Sequence, residues 1–461
     1  MLRLSLLALC VACSPVTAKV DYEDDTKRLL GSDAPDSPPD DEGDVSGSDS
    51  EDDAEDELPP ADDVPPDTDD EEEPPVTDED EDEDDDEDED EDTDGLAEWT
   101  FMVYLAADNN LEEAGLKDLN EMEFAGSTDE VNIIVELDRA HGFTSADGDW
   151  KGARRYRAES DTDMSRINSP VLVDLGEVDS GDPATFIDFI EWSVENYPAK
   201  NYAFVIWNHG WSWTMAPTGA RKGIASDDHS GSDLTVAGGE YESILEAAVD
   251  ITGEPLALIG MDACLMASWE IARVSADYGD YYVASQATES FDGWAFDTAL
   301  ADLVADPEMS AAELGTVIAQ RFHETDDATL SVTDLTQLAA MDGALDLFAN
   351  AVIEDGNPRG EVRRQARDSQ NFDGDPADRD LGDFMARMED ATDNPDILAA
   401  AQDVSAELSE VIVSNFTNGG WVSDATGMSI YLPVNGPDDI YLEGSWNDLT
   451  SWTEMLEAVD N

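Results

Sequence analysis

Basic residues are scarce in this chain. Its 461 residues include 22 Lys and Arg, 6 of them Lys, against 113 Asp and Glu, for a formal net charge of −91. Phosphate neutralisation needs clustered Lys and Arg, so this balance excludes nucleic acid held through its backbone. It equally excludes a basic patch drawn to anionic lipid. Cysteine is nearly absent too: the three are Cys10, Cys13 and Cys264. Two of them fall in the first 19 residues, so the body of the chain has Cys264 alone, no disulfide framework, and must be held together by its core. Long apolar runs are also missing. The run at 4–12 is too short to span a bilayer, and no other segment is long and apolar enough.

What is present begins with an export segment at 1–19, in which Arg3 precedes the short apolar run. Cys13 follows Val11-Ala12, which resembles a bacterial lipoprotein processing site, where the Cys becomes the lipidated first residue. Cys10 stands where Leu is usual there, and ordinary cleavage near Ala18 is the alternative. Residues 20–97 are Asp, Glu, Pro, Ser and Gly with few large apolar side chains, and 41 of the acids lie in 21–97. Such a stretch cannot bury enough apolar area to offset its ordering entropy, and like charges extend it, so it reads as a disordered tether. The remaining 98–461 still hold 72 acids against 18 bases, a net of −54. That self-repulsion is relieved by salt, which shortens the screening length to about 3 Å at 1 M, and points to a salt-adapted organism.

Order begins at Trp99. TFMVYLA at 100–106, VNIIVEL at 131–137, YAFVIW at 202–207, LALIGM at 256–261 and YYVAS at 281–285 read as buried strands. Weaker strands are expected at 154–158 and 171–175 and a late one at 428–432. Helices are expected from about 111 to 124 and over 185–196, 241–251 and 266–276, with more helix after Pro307. Continuous apolar strands alternating with helices predict an α/β fold with a mostly parallel sheet covered on both faces. Sites in such sheets form beyond the carboxyl ends of the strands.

Two reactive residues lie at such ends. His209 follows the 202–207 strand in Asn208-His209-Gly210, and Cys264 follows the 256–261 strand in Asp262-Ala263-Cys264. A lone Cys is either a small buried hydrophobe or a reactive thiol. As a thiol, it needs a proton donor for the leaving amine and N–H donors for the oxyanion. His209 supplies the first, and the N–H groups of Gly210 and Cys264 are expected to supply the second. A helix starting just after Cys264 would favour its thiolate. Of the other histidines, His141 and His229 lie in polar loops and His323 in a helix.

NHG at 208–210 and DACLM at 262–266, with 55 residues from His209 to Cys264, resemble the clostripain family of cysteine peptidases, relatives of the caspases and gingipains. TFMVYLAADNNLE at 100–112, DACLMASWEIA at 262–272, YYVASQATESFDGWAF at 281–296, DLGDFM at 380–385 and GMSIYLP at 427–433 extend the resemblance over about 98–455. It implies a caspase-like three-layer α/β/α sandwich, a Cys–His dyad, and cleavage of peptides or proteins after Arg or Lys. Asp262 matches the pocket acid that pairs with the basic side chain. Asp292 is a second candidate, or a surface turn residue. Where family loops usually read Pro-Gly, this chain has Ser290-Phe291. Some relatives cut themselves after a basic residue beyond the His, which makes Arg221 and Lys222 the expected self-processing point, or else an ordinary exposed pair. No metal ligand set is assigned and no cofactor is required, although calcium is possible. The expected protein is an exported monomer, secreted or held at the surface by a lipid on Cys13. A catalytically inactive binding module, or an acyl hydrolase or transferase using the same dyad, is the alternative.

Overall fold

The apolar runs read as strands form the centre of the molecule. The computed structural model describes residues 95–214, 223–326, 328–356, 359–372 and 377–460. Its strands are β1 (Ala97–Ala107), β2 (Val131–Arg139), β3 (Gly152–Arg157), β4 (Val173–Gly176), β5 (Ala199–Trp207), β6 (Leu256–Asp262), β7 (Gly279–Ala284), β8 (Thr329–Asp334), β9 (Asp378–Asp380), β10 (Ile412–Thr417) and β11 (Ser429–Tyr431). Nine of them make one sheet in the order β10-β8-β7-β6-β5-β1-β2-β3-β4, and β11 pairs with β9 in a small second sheet. The five central strands, β7 to β2, run parallel. The strands on either side are antiparallel. Every residue of β2 is buried, the pattern of a sheet covered on both faces.

The helices are α1 (Glu112–Ala125), α2 (Pro183–Asn196), α3 (Glu240–Thr252), α4 (Trp269–Ser275), α5 (Phe296–Ala305), α6 (Ala311–Thr325), α7 (Leu338–Asp355), α8 (Arg359–Asp368), α9 (Leu381–Ala391), α10 (Pro395–Val411) and α11 (Trp452–Asp460). Strand alternation sends successive side chains to opposite faces. From β1, Met102, Tyr104 and Ala106 enter the core covered by α2, α3 and α4 together with α7 to α11. Phe101, Val103 and Leu105 enter the other core, covered by α1, α5 and α6. The result is the expected three-layer α/β/α sandwich with a mostly parallel sheet.

Three local expectations differ from the structure. The helix read over 266–276 starts later, because Ser268 takes the cap position and accepts the Ile271 N–H. The run at 428–432 becomes β11, outside the main sheet. Strands β8 and β10, short and rich in Ser and Thr, close the sheet edge without having been foreseen. Strand order reverses beside β1: the chain passes from β1 to β2 on one side and later builds β5, β6 and β7 on the other. Helix α1 therefore leaves on one face and α3 on the other, and a crevice opens at the carboxyl ends of β1, β5 and β6.

Candidate active site

Trp207 and Asp262 are register partners at the ends of β5 and β6. Each strand then turns, and the turns carry His209 and Cys264. Gly210 comes next, and a Cβ there would stand 2.4 Å from the Cys264 carbonyl oxygen and 2.9 Å from the Met266 sulfur. Only glycine lets the two loops meet this closely. His209 and Cys264 are 2% and 3% exposed, and both line a small cleft with Trp207, Asp262, Glu289 and Phe291. Cys264 is thus a buried side chain that faces a cleft.

His209 is held at its ring and at its backbone. His209 Nε2 lies 3.0 Å from Oδ1 of Asn110, in the loop after β1. Its backbone N–H donates to Asn208 Oδ1. Asn208 in turn donates through Nδ2 to the carbonyls of Ala106 at 2.7 Å and Ser226 at 3.1 Å. Across the cleft, the Glu289 N–H donates to Cys264 Sγ at 3.3 Å. A donor aimed at sulfur favours its anionic form.

The base of the cleft is acidic. Asp262 is buried, accepts the Trp294 N–H at 3.1 Å and is pushed up to about 7, chiefly by burial. Asp118, from α1, accepts the Trp207 indole N–H at 2.7 Å. Burial, and then the neighbouring Asp262 charge, push its carboxyl well above the ordinary range. Gly293 separates the two, at a φ of +59°, and a Cβ on it would come within 3.2 Å of an oxygen of each acid. Glu289 is a third buried acid lining the same cleft. A cationic side chain entering here would meet the carboxyls of Asp262 and Asp118, and a charge of opposite sign beside them favours their ionised forms.

The model of the clostripain family matches residues 103–460. The chain belongs to the clostripain family. Clostripain from Hathewaya histolytica is 28% identical over 188 residues, which is 38% of this chain and 35% of that protein, so the match spans about a third of its length. Among solved structures, a secreted C11 cysteine protease from Bacteroides thetaiotaomicron, in complex with an irreversible peptide inhibitor, superposes with a TM-score of 0.57 at 17% identity, over 79% of this chain and 99% of that one. An inactive zymogen C11 protease from Parabacteroides distasonis gives a TM-score of 0.56 at 19% identity, over 78% and 98%. These likenesses bear on the fold, and they agree with the sheet and layers described above.

The segments that carry the clostripain-family resemblance meet behind the cleft. Gln286 donates to Asp380 at 2.9 Å and accepts the Gly427 N–H at 2.8 Å. Asp380 also accepts the Thr426 N–H at 2.6 Å and caps α9 through the Asp383 N–H at 2.8 Å. Glu270 accepts the Tyr431 N–H and the Tyr441 hydroxyl, both at 3.0 Å. These contacts fasten the strand-end loops to the C-terminal helices.

The expected site residues divide as follows. His209, Gly210, Asp262 and Cys264 come together at one crevice. Asp292 does not join Asp262: its side chain is 80% exposed and pairs with Lys117 at 3.2 Å, at the rim. A helix N-terminus does not sit at Cys264, because α4 begins only at Trp269. Leu265 instead takes a φ of +67° and donates its N–H to the Ala287 carbonyl at 3.0 Å, turning the chain away before the helix starts. Arg221, Lys222 and Cys13 lie outside the described residues. Asn110, Asp118 and Glu289 are additions that sequence reasoning did not assign.

Proposed function

We propose that this member of the clostripain family is an exported cysteine endopeptidase that cleaves after Arg, and also Lys, with Cys264 as nucleophile and His209 as acid–base partner. The observation that carries this reading is the convergence of both residues on one cleft whose base holds Asp262 and Asp118. The Cys264 thiolate adds to the scissile carbonyl carbon, and the N–H groups of Gly210 and Cys264 receive the oxyanion. With Nε2 engaged by Asn110, Nδ1 of His209 takes the thiol proton and returns it to the departing amine. Water then hydrolyses the thioester, and His209 acts as base. Asp262 holds the guanidinium or ammonium of the residue before the cut.

With Cys13 either removed with the export segment or lipidated, Cys264 is the only free thiol of the mature chain, which supports a reactive thiol there. Processing at Cys13 would leave a lipid anchor, whereas cleavage near Ala18 would leave a secreted monomer. Self-cleavage after Arg221 or Lys222 belongs to the same specificity. Among the described residues no helix is long and apolar enough to cross a membrane.

The test is a panel of peptides ending in Arg, Lys, Asp or Leu before the scissile bond, assayed under reducing conditions with wild type and Cys264→Ala. Turnover of the Arg and Lys peptides that vanishes in the variant is expected. No turnover by wild type, together with stable retention of a protein partner, would instead favour an inactive binding module. Intact masses of the two proteins report export cleavage, lipidation and self-cutting together.

A further inference from the structure

Two histidines that the sequence leaves in polar loops meet at the surface. His141 lies just beyond β2, and His229 lies in the loop that follows the His209 segment. Their ring centroids are 6.0 Å apart, although the chain has only four histidines. Glu177, directly after β4, joins them: its Oε1 is 3.4 Å from His229 Nδ1. One ligand atom from each of the three lies within 4.8 Å of the other two. All three side chains are exposed, and none of them lines the cleft.

We propose that His141, Glu177 and His229 form a binding site for Zn²⁺ or a similar borderline d-block cation. Zinc takes imidazole nitrogen and carboxylate oxygen at about 2.0–2.2 Å in a tetrahedral set, so neighbouring ligand atoms stand about 3.3–3.6 Å apart. The distance from His229 to Glu177 falls in that range, and rotation of the exposed His141 ring can close the third edge. Water completes the set, as in zinc sites that keep three protein ligands and an open position. Two imidazoles select against Mg²⁺ and Ca²⁺, which prefer oxygen ligands throughout. The competing reading is a plain surface pair of His229 and Glu177, in which His141 has no part.

Each ligand follows a residue whose backbone is already anchored. Lys151 Nζ donates to the Ala140 carbonyl at 2.6 Å. Gly176 pairs with Ala153 at the end of β4. The Asp228 N–H donates to the Asp108 carbonyl at 2.7 Å, and the Gly231 N–H closes a turn onto the Asp227 carbonyl at 2.9 Å. Backbone fixed in advance lowers the ordering cost of binding. A bound ion would tie the segments that follow β2 and β4 to the loop that follows the His209 segment. The site does not depend on the peptidase reading, because its test reads binding and unfolding rather than turnover.

The experiment uses the mature, untagged protein carrying Cys264→Ala, so that no thiol competes for zinc. The protein is stripped with EDTA, freed of it, and kept in about 1 M KCl, where the screening length of about 3 Å suppresses loose binding to the acidic segment. Excess Mg²⁺ occupies oxygen-only sites. Zn²⁺ is then titrated by calorimetry and by thermal unfolding. One saturable site and a raised melting temperature are expected. His141→Ala and His229→Ala should each weaken that site about tenfold or more and remove the zinc-dependent rise. Glu177→Gln should weaken it as well. All three side chains are exposed, so the melting temperatures of the variants in EDTA should match that of the parent. No saturable site in the parent, or an affinity left unchanged by either histidine substitution, overturns the proposal and leaves a surface pair of His229 and Glu177.

Discussion

Trp207 and Asp262 face each other across two parallel strands, and two residues beyond each lies one member of the Cys–His pair. The register of β5 and β6 therefore sets the relation of His209 to Cys264 before any side chain is considered. A slip of one residue would send every side chain of the slipped strand to the opposite face of the sheet. The relative placement of His209 and Cys264 is a product of sheet geometry, trimmed by the close passage of Gly210 over the Cys264 carbonyl.

That passage gives the first prediction. In Gly210→Ala the added methyl must displace a backbone oxygen at 2.4 Å, so the two loops separate. Misplacement of this size near a reacting pair costs about a hundredfold in rate, with a loss of about 1–3 kcal/mol of stability from overpacking. Turnover of an Arg peptide and denaturant unfolding measure the two. Unchanged kcat with an unchanged midpoint would show that the loops are not in the contact described.

The second concerns the acidic base of the cleft. Asp262, pushed up to about 7 by burial, is charged above that pH and neutral below it. Preference for a cationic side chain over its uncharged isostere should therefore grow as pH rises through about 7. The ratio of kcat/KM for Arg and citrulline peptides between pH 5 and 8 checks this, since titration of the dyad cancels in the ratio. Asp262→Asn should flatten the ratio and lower it about tenfold or more, in line with loss of a buried charge pair. A pH-independent ratio in wild type would place the recognition elsewhere.

How much of this was legible in the sequence follows from what each residue does locally. The central strands are apolar over their whole length, so their period and class were plain, and His209 and Cys264 were found because each closes such a strand at a polar turn. Asp118 gave no such sign. It lies in α1, where Asn120, Glu121 and Glu123 are buried beside it, and one more Asp in a chain with 113 acids carries no signal. Its place at the cleft arises only when α1 packs on β1 and β2 and brings its carboxyl to the Trp207 indole N–H. Asn110 stands just before the expected start of a helix, and its contact with the His209 ring depends on β1 lying next to β5. The late start of α4 did have a local cue, Ser268 as a capping residue, but the positive φ of Leu265 that delays the helix had none.

Stability should fall as pH rises from mildly acid to neutral. Burial raises Glu136 and Glu270 from 4.5 to about 7, and Asp380 from 3.8 to about 6. Between the ordinary values and the raised ones, the folded chain keeps protons that the unfolded chain has lost. Stability from these groups is therefore lost as pH climbs through that window and levels off above about 7. Melting temperatures at about pH 5 and pH 7.5 in the same high-salt buffer should differ, with the lower pH giving the higher value. A melting temperature that climbs over this range would mean that these carboxyls are not buried as described.

Asp380 offers the sharpest separation of architecture from chemistry. Its carboxylate is the meeting point of Gln286, Thr426 and the first turn of α9, yet it lines no part of the cleft. Asp380→Ala removes a helix cap, worth about 1 kcal/mol, and strands a buried amide and backbone N–H groups, at about 1–3 kcal/mol for a buried donor left unmade. We expect a loss of about 3 kcal/mol or more in denaturant unfolding. Asp380→Asn keeps the shape and an acceptor, and should recover part of that loss. The loop from Ser285 to Glu289 hangs on Gln286, and Glu289 supplies the N–H aimed at Cys264. A modest fall in kcat with little change in KM should therefore accompany the loss of stability in the folded fraction of Asp380→Ala. If stability drops while kcat stays at the wild-type value, the network supports the fold alone, and the placement of the Glu289 N–H is set by the cleft itself.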